Sequence, residues 1–152
     1  MLKRHYVTPE TTYKVGGNKQ VIYTPVIVVE DGTSHTHVYL AGRTSRTLDG
    51  DVACKGDMRG QIREVCKALQ IALETVGATL SDVTRTTTYT TDMKAYFAAI
   101  DERFKFFKPP LPTSTLIGVA SLAMPEMLVE IEAEAVIETN RLRLPKTGVV
   151  SR

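Results

Sequence analysis

The fold is decided by the stretch VEIEAEAVI, residues 129–137, in which apolar and acidic residues alternate with a period of two. This alternation predicts a β-strand with one buried face and one open face. Glu130, Glu132 and Glu134 then follow one another on the open face, where their charges repel unless water or cations meet them. The function of the chain therefore depends on what lies opposite this acidic face.

The composition is that of an ordinary globular protein. The chain has 152 residues, enough for one domain with a single core, and 43% of them are hydrophobic and 24% charged. A net charge of +2 is too small to indicate nucleic acid as a partner. No apolar run is long enough for a membrane helix, and no apolar stretch follows the basic N-terminus, so we expect a cytoplasmic protein. Cys54 and Cys66 fit no zinc spacing and are expected to be free thiols.

The first half of the sequence predicts a hairpin. Residues 20–29 and 37–41 are rich in β-formers, and the turn signal EDGTS lies between them. Pro25 cannot donate to a ladder, so it indicates an edge position or a bend. Residues 1–19 show no period and contain a Gly-Gly-Asn loop, and we interpret them as an N-terminal arm. Residues 139–152 are interpreted as a C-terminal tail.

Two amphipathic helices are predicted, each capped by an aspartate. The first follows Asp57 and ends near Gly77, and the second follows Asp92 and ends at a proline-rich break. Strands are predicted at 83–91 and 114–122. Because each helix has one apolar stripe, both must cover the same face of a single mixed sheet, which defines an α+β fold. The stripes are Ile62, Val65, Leu69, Ala72 and Val76 in the first helix, and Phe97, Ile100, Phe104 and Phe107 in the second.

The helix-free face is expected to carry Arg85, Thr87 and Tyr89 beside the three glutamates. Such a face can stay wet, or identical subunits can pack their open faces around a common axis. The mixture of aromatic and β-branched residues with charges favours the second arrangement.

The glutamate stripe has two interpretations. It is either a solvated face neutralised by neighbouring cations, or one carboxylate in a partly buried cleft acts as a general base on water. Burial and like-charged neighbours would raise the pKa of that carboxylate toward the useful range. Glu130 is the best candidate, since it lies nearest the start of the strand. Arg43, Arg46 and Arg85 either clamp a substrate carboxylate or neutralise the stripe, and these roles are compatible.

No metal or nucleophile site is predicted. His35 and His37 lie on one strand face, but no third ligand is spaced to match them. The sequence also shows no phosphate loop, no Ser-His-Asp arrangement and no setting for a cysteine nucleophile.

At this point several segments together resemble a known family. They are SDVTRTTTYTTDM at 81–93, the Phe-rich helix, the proline break and VEIEA at 129–133, and the similarity spans residues 25–138. The chain resembles the Rid family of YjgF-type proteins, also called endoribonuclease L-PSP or reactive intermediate deaminases. The resemblance implies a chorismate mutase-like α+β fold, a homotrimer with clefts between subunits, and hydrolysis of enamines and imines to keto acids and ammonia without a cofactor.

The resemblance also assigns residues. Glu130 matches the family's water-positioning glutamate, but Ser114 stands where an arginine usually grips the substrate carboxylate. A serine hydroxyl cannot form a bidentate charged clamp, so the chain resembles the arginine-lacking branches of the family. Arg43 is the predicted replacement, with Ser114 and Thr115 as hydrogen-bonding partners of the substrate. The chain departs from the family pattern at three further positions: Leu116 replaces a cysteine, Ala41 a serine and Val26 a tyrosine. Tyr89 and Arg85 complete the candidate substrate-binding set.

Three functions are thus compared. The leading one is an enamine or imine deaminase that uses Glu130, and its partners are a small carboxylate ligand and two further copies of the chain. The alternative is a non-catalytic small-molecule binder or chaperone-like trimer that uses the same cleft. A ribonuclease is the third, and it is disfavoured because the acidic open face lacks interleaved basic and aromatic residues.

Overall fold

The computed structural model describes residues 1–14 and 21–152. Within them the strands form one mixed sheet, and two helices pack against it. The strands are Lys3–Val7 (β1), Val26–Glu30 (β2), His35–Arg43 (β3), Val83–Thr90 (β4), Thr113–Gly118 (β5), Val129–Glu138 (β6) and Val149–Ser151 (β7). The helices are Met58–Glu74 (α1) and Met93–Ala99 (α2), and α2 continues as the 3-10 helix Ile100–Lys105.

The strand with the alternating pattern lies inside the sheet. The order is β5-β4-β6-β3-β2-β1-β7, so β6 is flanked by β3 and β4. Strands β4 and β5 are parallel, and the other neighbouring pairs are antiparallel. Every second residue of β6 is buried, from Val129 to Ile137, while the three glutamates between them are only half-buried. The predicted strand, its two faces and the single mixed sheet are therefore confirmed.

The first helix follows its predicted pattern. Asp57 accepts a hydrogen bond from the backbone N–H of Gly60 at 3.0 Å, which caps the helix. The whole predicted stripe, from Ile62 to Val76, is buried against β3 and β6. Gly77 ends the helix with a φ of +84°, a left-handed conformation that glycine adopts without strain.

The apolar stripe predicted for the second helix is wrong in part. Helix α2 ends at Ala99, and the chain then winds as a 3-10 helix with about three residues per turn. This tighter winding breaks a period of 3.6, so Phe104 is 44% exposed, while Phe97 is 57% exposed because α2 turns Tyr96 and Ala99 toward the core instead. The side chains that are buried here belong to Tyr96, Ala99, Glu102, Arg103 and Phe107.

Both termini contribute strands that the sequence pattern did not predict. Lys3–Val7, within the predicted arm, pairs with β2 on one side and with β7 on the other. β7 itself comes from the predicted tail. Consequently β2 is an interior strand that begins just after Pro25, so the edge position suggested by this proline is wrong. The predicted Gly-Gly-Asn loop lies outside the described residues.

The predicted hairpin is confirmed, since β2 and β3 pair antiparallel with Val28 opposite Val38. In the described part of the chain, no helix has both the length and the apolar character needed to cross a membrane.

Candidate functional site

A β-bulge shapes the end of β3. Leu40 pairs with Ala133 and Arg43 pairs with Ile131, so two residues of β3, Ala41 and Gly42, stand opposite one residue of β6. The extra residue changes the alternation of side chains along the strand. Arg43 therefore lies on the same side of the strand as the core-facing Leu40, and not on the side of the open face.

Glu130 lies beside this bulge, near the start of β6. A β-carbon at Gly42 would overlap Glu130 Oε1, so the missing side chain leaves the room that the carboxylate occupies. Burial is the main cause that raises the pKa of Glu130, and the negative charge of Glu132 adds to it. Glu130 thus combines partial burial with a raised pKa, as expected for a general base.

Arg43 is a cation without an acidic partner in the described part of the chain. Its Nη2 donates to the carbonyl oxygen of Pro25 at 3.2 Å, and its buried Nε has no hydrogen-bond partner. Burial lowers the pKa of Arg43, which indicates that the guanidinium has lost hydration. A desolvated cation that no carboxylate neutralises favours the binding of an anion.

Glu130 and Arg43 line the same pocket. Its volume is about 330 Å³, within the range typical of small-molecule sites. Ile22 and Tyr23, which precede β2, line one side of the pocket, and Ala68 of α1 lines another. Its remaining walls include Thr11, Tyr13, Thr44, Arg46 and Met127.

Arg46 and Tyr13 hold the N-terminal segment against this pocket. The guanidinium carbon of Arg46 lies 4.0 Å from the centre of the Tyr13 ring, a cation–π contact. Arg46 also donates to the carbonyl of Gly50 at 3.2 Å and to the sulfur of Met124 at 3.1 Å. These contacts give Arg46 a structural role beside the pocket.

Sequence reasoning missed the two tyrosines of the pocket. Tyr13 and Tyr23 lie in segments without periodicity, so no pattern singled them out. The family's tyrosine had been matched to Val26, but that residue is fully buried in the core. No local signal in the sequence could have found Tyr23, because the contact between Arg43 and the Pro25 carbonyl that brings it to the pocket forms only in the fold.

Arg85 and Tyr89 lie on the open face, as predicted, and there they meet the other two glutamates. Arg85 Nη1 is 3.7 Å from Glu134 Oε1, and the Tyr89 hydroxyl donates to Glu132 Oε1 at 3.2 Å. Burial, followed by the charge of Glu132, raises the pKa of Tyr89. Arg85 lines a separate pocket of about 310 Å³, so within one chain it is not in the Glu130 pocket.

Ser114 and Thr115 are also apart from Glu130 within one chain. Ser114 Oγ accepts from Thr86 Oγ1 at 3.2 Å, and Thr86 accepts in turn from the buried Arg103 at 2.9 Å, which places Ser114 on the helix side of the sheet. Thr115 pairs with Thr87 on the opposite side. Their contact with the substrate thus stays a prediction, and it requires a cleft to which a second copy of the chain contributes.

The histidine pair shows no sign of a metal centre. His37 stacks on Tyr39 at 6.4 Å between ring centres, and exposed His35 contacts the hydroxyl of Ser34 at 3.2 Å. Among residues 1–14 and 21–152, no group of three His, Cys, Asp or Glu side chains converges to hold a metal.

Comparison with known proteins places this chain in a family. The family model described as endoribonuclease L-PSP matches residues 22–137, and the chain therefore belongs to the endoribonuclease L-PSP family, which includes the YjgF and Rid proteins.

One solved structure agrees with this assignment, and two others share the fold. A member of the YjgF/YER057c/UK114 family from Mycobacterium tuberculosis is 30% identical, with a TM-score of 0.63, and the match covers 83% of this chain and 98% of that one. The Rid family protein YyfA from Yersinia pestis is 24% identical, with a TM-score of 0.74 and coverage of 88% and 99%. RidA from the Antarctic bacterium Psychrobacter sp. is 20% identical, with a TM-score of 0.68 and coverage of 87% and 98%.

Proposed function

We propose that this protein is a cofactor-free hydrolytic deaminase of small enamine and imine metabolites. The enamine first tautomerises to the imine. Water then adds to the carbon of the C=N bond while Glu130 takes one proton from the water and passes it to the nitrogen, which gives a carbinolamine. Glu130 next takes the proton of the new hydroxyl group and passes it to the nitrogen while the C–N bond breaks, and the products are a keto compound and ammonia. The carbonyl oxygen of the product comes from the water.

The observation that carries the proposal is the pairing of two unlike groups in one pocket. Glu130 has a pKa raised by burial, so its carboxylate is a stronger base than an exposed one. Arg43 offers an uncompensated cation to the substrate carboxylate. A negatively charged imino acid held at Arg43 would bring its C=N carbon toward Glu130.

We further propose that three copies assemble with their open faces together. Tyr39 and Ile117 are exposed on this side of the sheet, beside the Arg85–Glu134 ion pair. Covering these side chains would bury apolar surface that one chain leaves in water. In such a trimer, we expect Thr115, which lies on the open face, to approach the pocket of a neighbouring copy.

The catalytic role of Glu130 is tested by releasing imines in situ from amino acids with an amino-acid oxidase and measuring ammonia or trapped imine. Glu130→Gln should lower the enzymatic rate by about 10²–10⁴-fold, the usual contribution of a general base. Glu134→Gln, on the same stripe, should keep the wild-type rate. Keto acid formed by Glu130→Gln as fast as by the wild type contradicts the proposal.

The role of Arg43 is tested separately by ligand binding. Arg43→Gln should weaken the binding of small carboxylates such as pyruvate by about 10-fold or more, because the ligand loses its charged partner. Arg59→Gln is the matched control, because Arg59 lies on α1 outside the pocket, where it pairs with Asp101. Equal affinity of wild type and Arg43→Gln would rule out the clamp.

The same two measurements separate the enzyme from a non-catalytic binder. A binder would take up carboxylates through Arg43 but would not accelerate imine hydrolysis. Wild-type protein that binds pyruvate and leaves imine decay unchanged would favour this alternative.

A further inference from the structure

The pocket that holds Glu130 is larger than a small imino acid requires. Its volume of about 330 Å³ equals the liquid volume of about eleven water molecules. The imino acid derived from alanine or serine has a skeleton of three carbons and would leave much of that space empty. An occupant that fills the pocket must therefore carry a larger side chain.

Part of the pocket wall is apolar and aromatic, beside several threonines and Arg46. Ile22 is 71% exposed and Tyr23 is 48% exposed, although both are large apolar side chains. The Tyr13 ring and the thioether of Met127 line the same space. Exposed apolar side chains that converge at the mouth of a pocket mark a surface that gains stability when a ligand covers it.

The position of Arg43 defines where the carboxylate of a ligand would bind. The carbonyl of Pro25 holds the Arg43 guanidinium, and the phenol of Tyr23 is its electrostatic neighbour. A ligand whose carboxylate meets Arg43 thus has the Tyr23 ring beside it. Its side chain would pass along Tyr23 toward Ile22, while its reactive carbon faces Glu130.

We propose that the preferred substrates are 2-imino acids with a large apolar or aromatic side chain, which packs against Tyr23 and Ile22 while the carboxylate binds Arg43. This inference rests on the proposed function and names its substrate class. A single methylene group in an apolar pocket changes specificity by about 10–200-fold, so an aromatic ring is expected to produce at least a tenfold preference.

The experiment compares imines formed in situ from L-phenylalanine and from L-alanine. We expect a kcat/KM at least about 10-fold higher for the phenylalanine-derived imine. Tyr23→Ala should lower kcat/KM for that imine by about 10-fold more than it lowers kcat/KM for the alanine-derived imine, whereas Tyr23→Phe should retain the preference. Phe97→Ala is the matched control, because Phe97 is an exposed aromatic residue on α2, outside the pocket.

The outcomes distinguish this inference from the proposed function. Hydrolysis of both imines with no preference, or an equal effect of Tyr23→Ala on both, overturns the inference and leaves the deaminase in place. Acceleration of neither imine contradicts the deaminase. In that case, calorimetry with phenylpyruvate and pyruvate tests the pocket directly: tighter binding of phenylpyruvate that Tyr23→Ala abolishes supports the ligand class, and equal binding overturns it.

Discussion

The carboxylate of Glu130 occupies the space that a side chain at Gly42 would fill. A β-carbon at residue 42 would overlap Glu130 Oε1 and lie 2.8 Å from Cδ. Gly42 does not have the positive φ that favours glycine, so the requirement at this position is for space and not for backbone freedom. The site thus depends on a residue with no functional group of its own.

Gly42→Ala should therefore impair catalysis more than stability. The methyl group would displace the Glu130 carboxylate, and a misplacement of about 1 Å can cost about 100-fold in rate. The measurement is kcat together with the melting temperature. Gly118→Ala is the control, because a β-carbon there meets only the methyl group of Met93 at an ordinary 3.5 Å. Wild-type kcat in Gly42→Ala would contradict this account of the site.

The acid side of the pH–rate profile should respond to Glu132. Glu130 must be ionised to act as a base, so the rate should rise as pH increases through its pKa. The charge of Glu132 contributes to raising that pKa, although burial contributes more. Glu132→Gln should thus lower the pKa of Glu130 and shift the acid limb to lower pH, while burial keeps the pKa above that of a free carboxyl. Glu134→Gln should leave the limb in place, and an equal shift in both variants would exclude a specific effect of Glu132.

The buried carboxylate of Glu102, which lies in the 3-10 helix and faces α1, should make the stability of the protein depend on pH. Glu102 is 1% exposed and accepts from Arg63 Nε and Lys105 Nζ, each at 2.7 Å. The hydrogen bonds from these two cations lower its pKa from 4.5 to about 2. The pKa of Glu102 is lower in the folded protein than in the unfolded chain. Its stabilising effect is therefore complete at pH values above the pKa of the unfolded chain, and it is lost as the pH falls through the pKa of the folded protein.

Glu102→Gln should accordingly reduce the free energy of unfolding at pH 7, and the deficit should shrink as pH falls from 4.5 toward 2. Urea denaturation of both proteins at pH 7 and pH 3 measures this change. Glu64→Gln, which removes an exposed pair with Lys67, should have a smaller effect. A deficit that is the same at both pH values would show that the charge of Glu102 is not its cause.

His5 should stabilise the pairing of the C-terminal strand β7 with β1. Its Nδ1 is 2.7 Å from Ser151 Oγ and its Nε2 is 2.7 Å from Glu30 Oε1, and the ring is buried. His5→Leu should cost about 1–3 kcal/mol, the sum of two lost hydrogen bonds, and Ser151→Ala about half as much. Denaturation measures the cost, and faster amide exchange in β7 locates it. Unchanged exchange of Val150 in His5→Leu would contradict this role.

The local patterns in the sequence predicted the elements of the core well. The alternation around Ile131 and the stripe that begins at Ile62 depend only on neighbouring residues, so a period was enough to find them. Phe104 was misplaced because the change from an α-helix to a 3-10 helix leaves no mark in the spacing of apolar residues. The hydrogen bonds of His5 could not be predicted, since Ser151 follows it by 146 positions.

The site was only partly predictable for the same reason. Glu130 could be singled out by its place at the start of β6 and by the family resemblance, and Arg43 by its place after the glycine. What these residues contact depends on the register between β3 and β6, which the sequence of neither strand specifies alone. Tyr23 enters the pocket through the course of a segment without regular structure, so neither period nor spacing could reveal it.

The bulge in β3 also explains why the acid and the cation of the pocket remain unpaired. With regular pairing, Arg43 would stand opposite Glu130, and an ion pair between them would depress the pKa of the base and occupy the cation. The extra residue at Ala41–Gly42 prevents this neutralisation although both groups line one pocket. The pocket is therefore a point of local frustration in an otherwise consistent fold, and we expect an anionic ligand at Arg43 to relieve it.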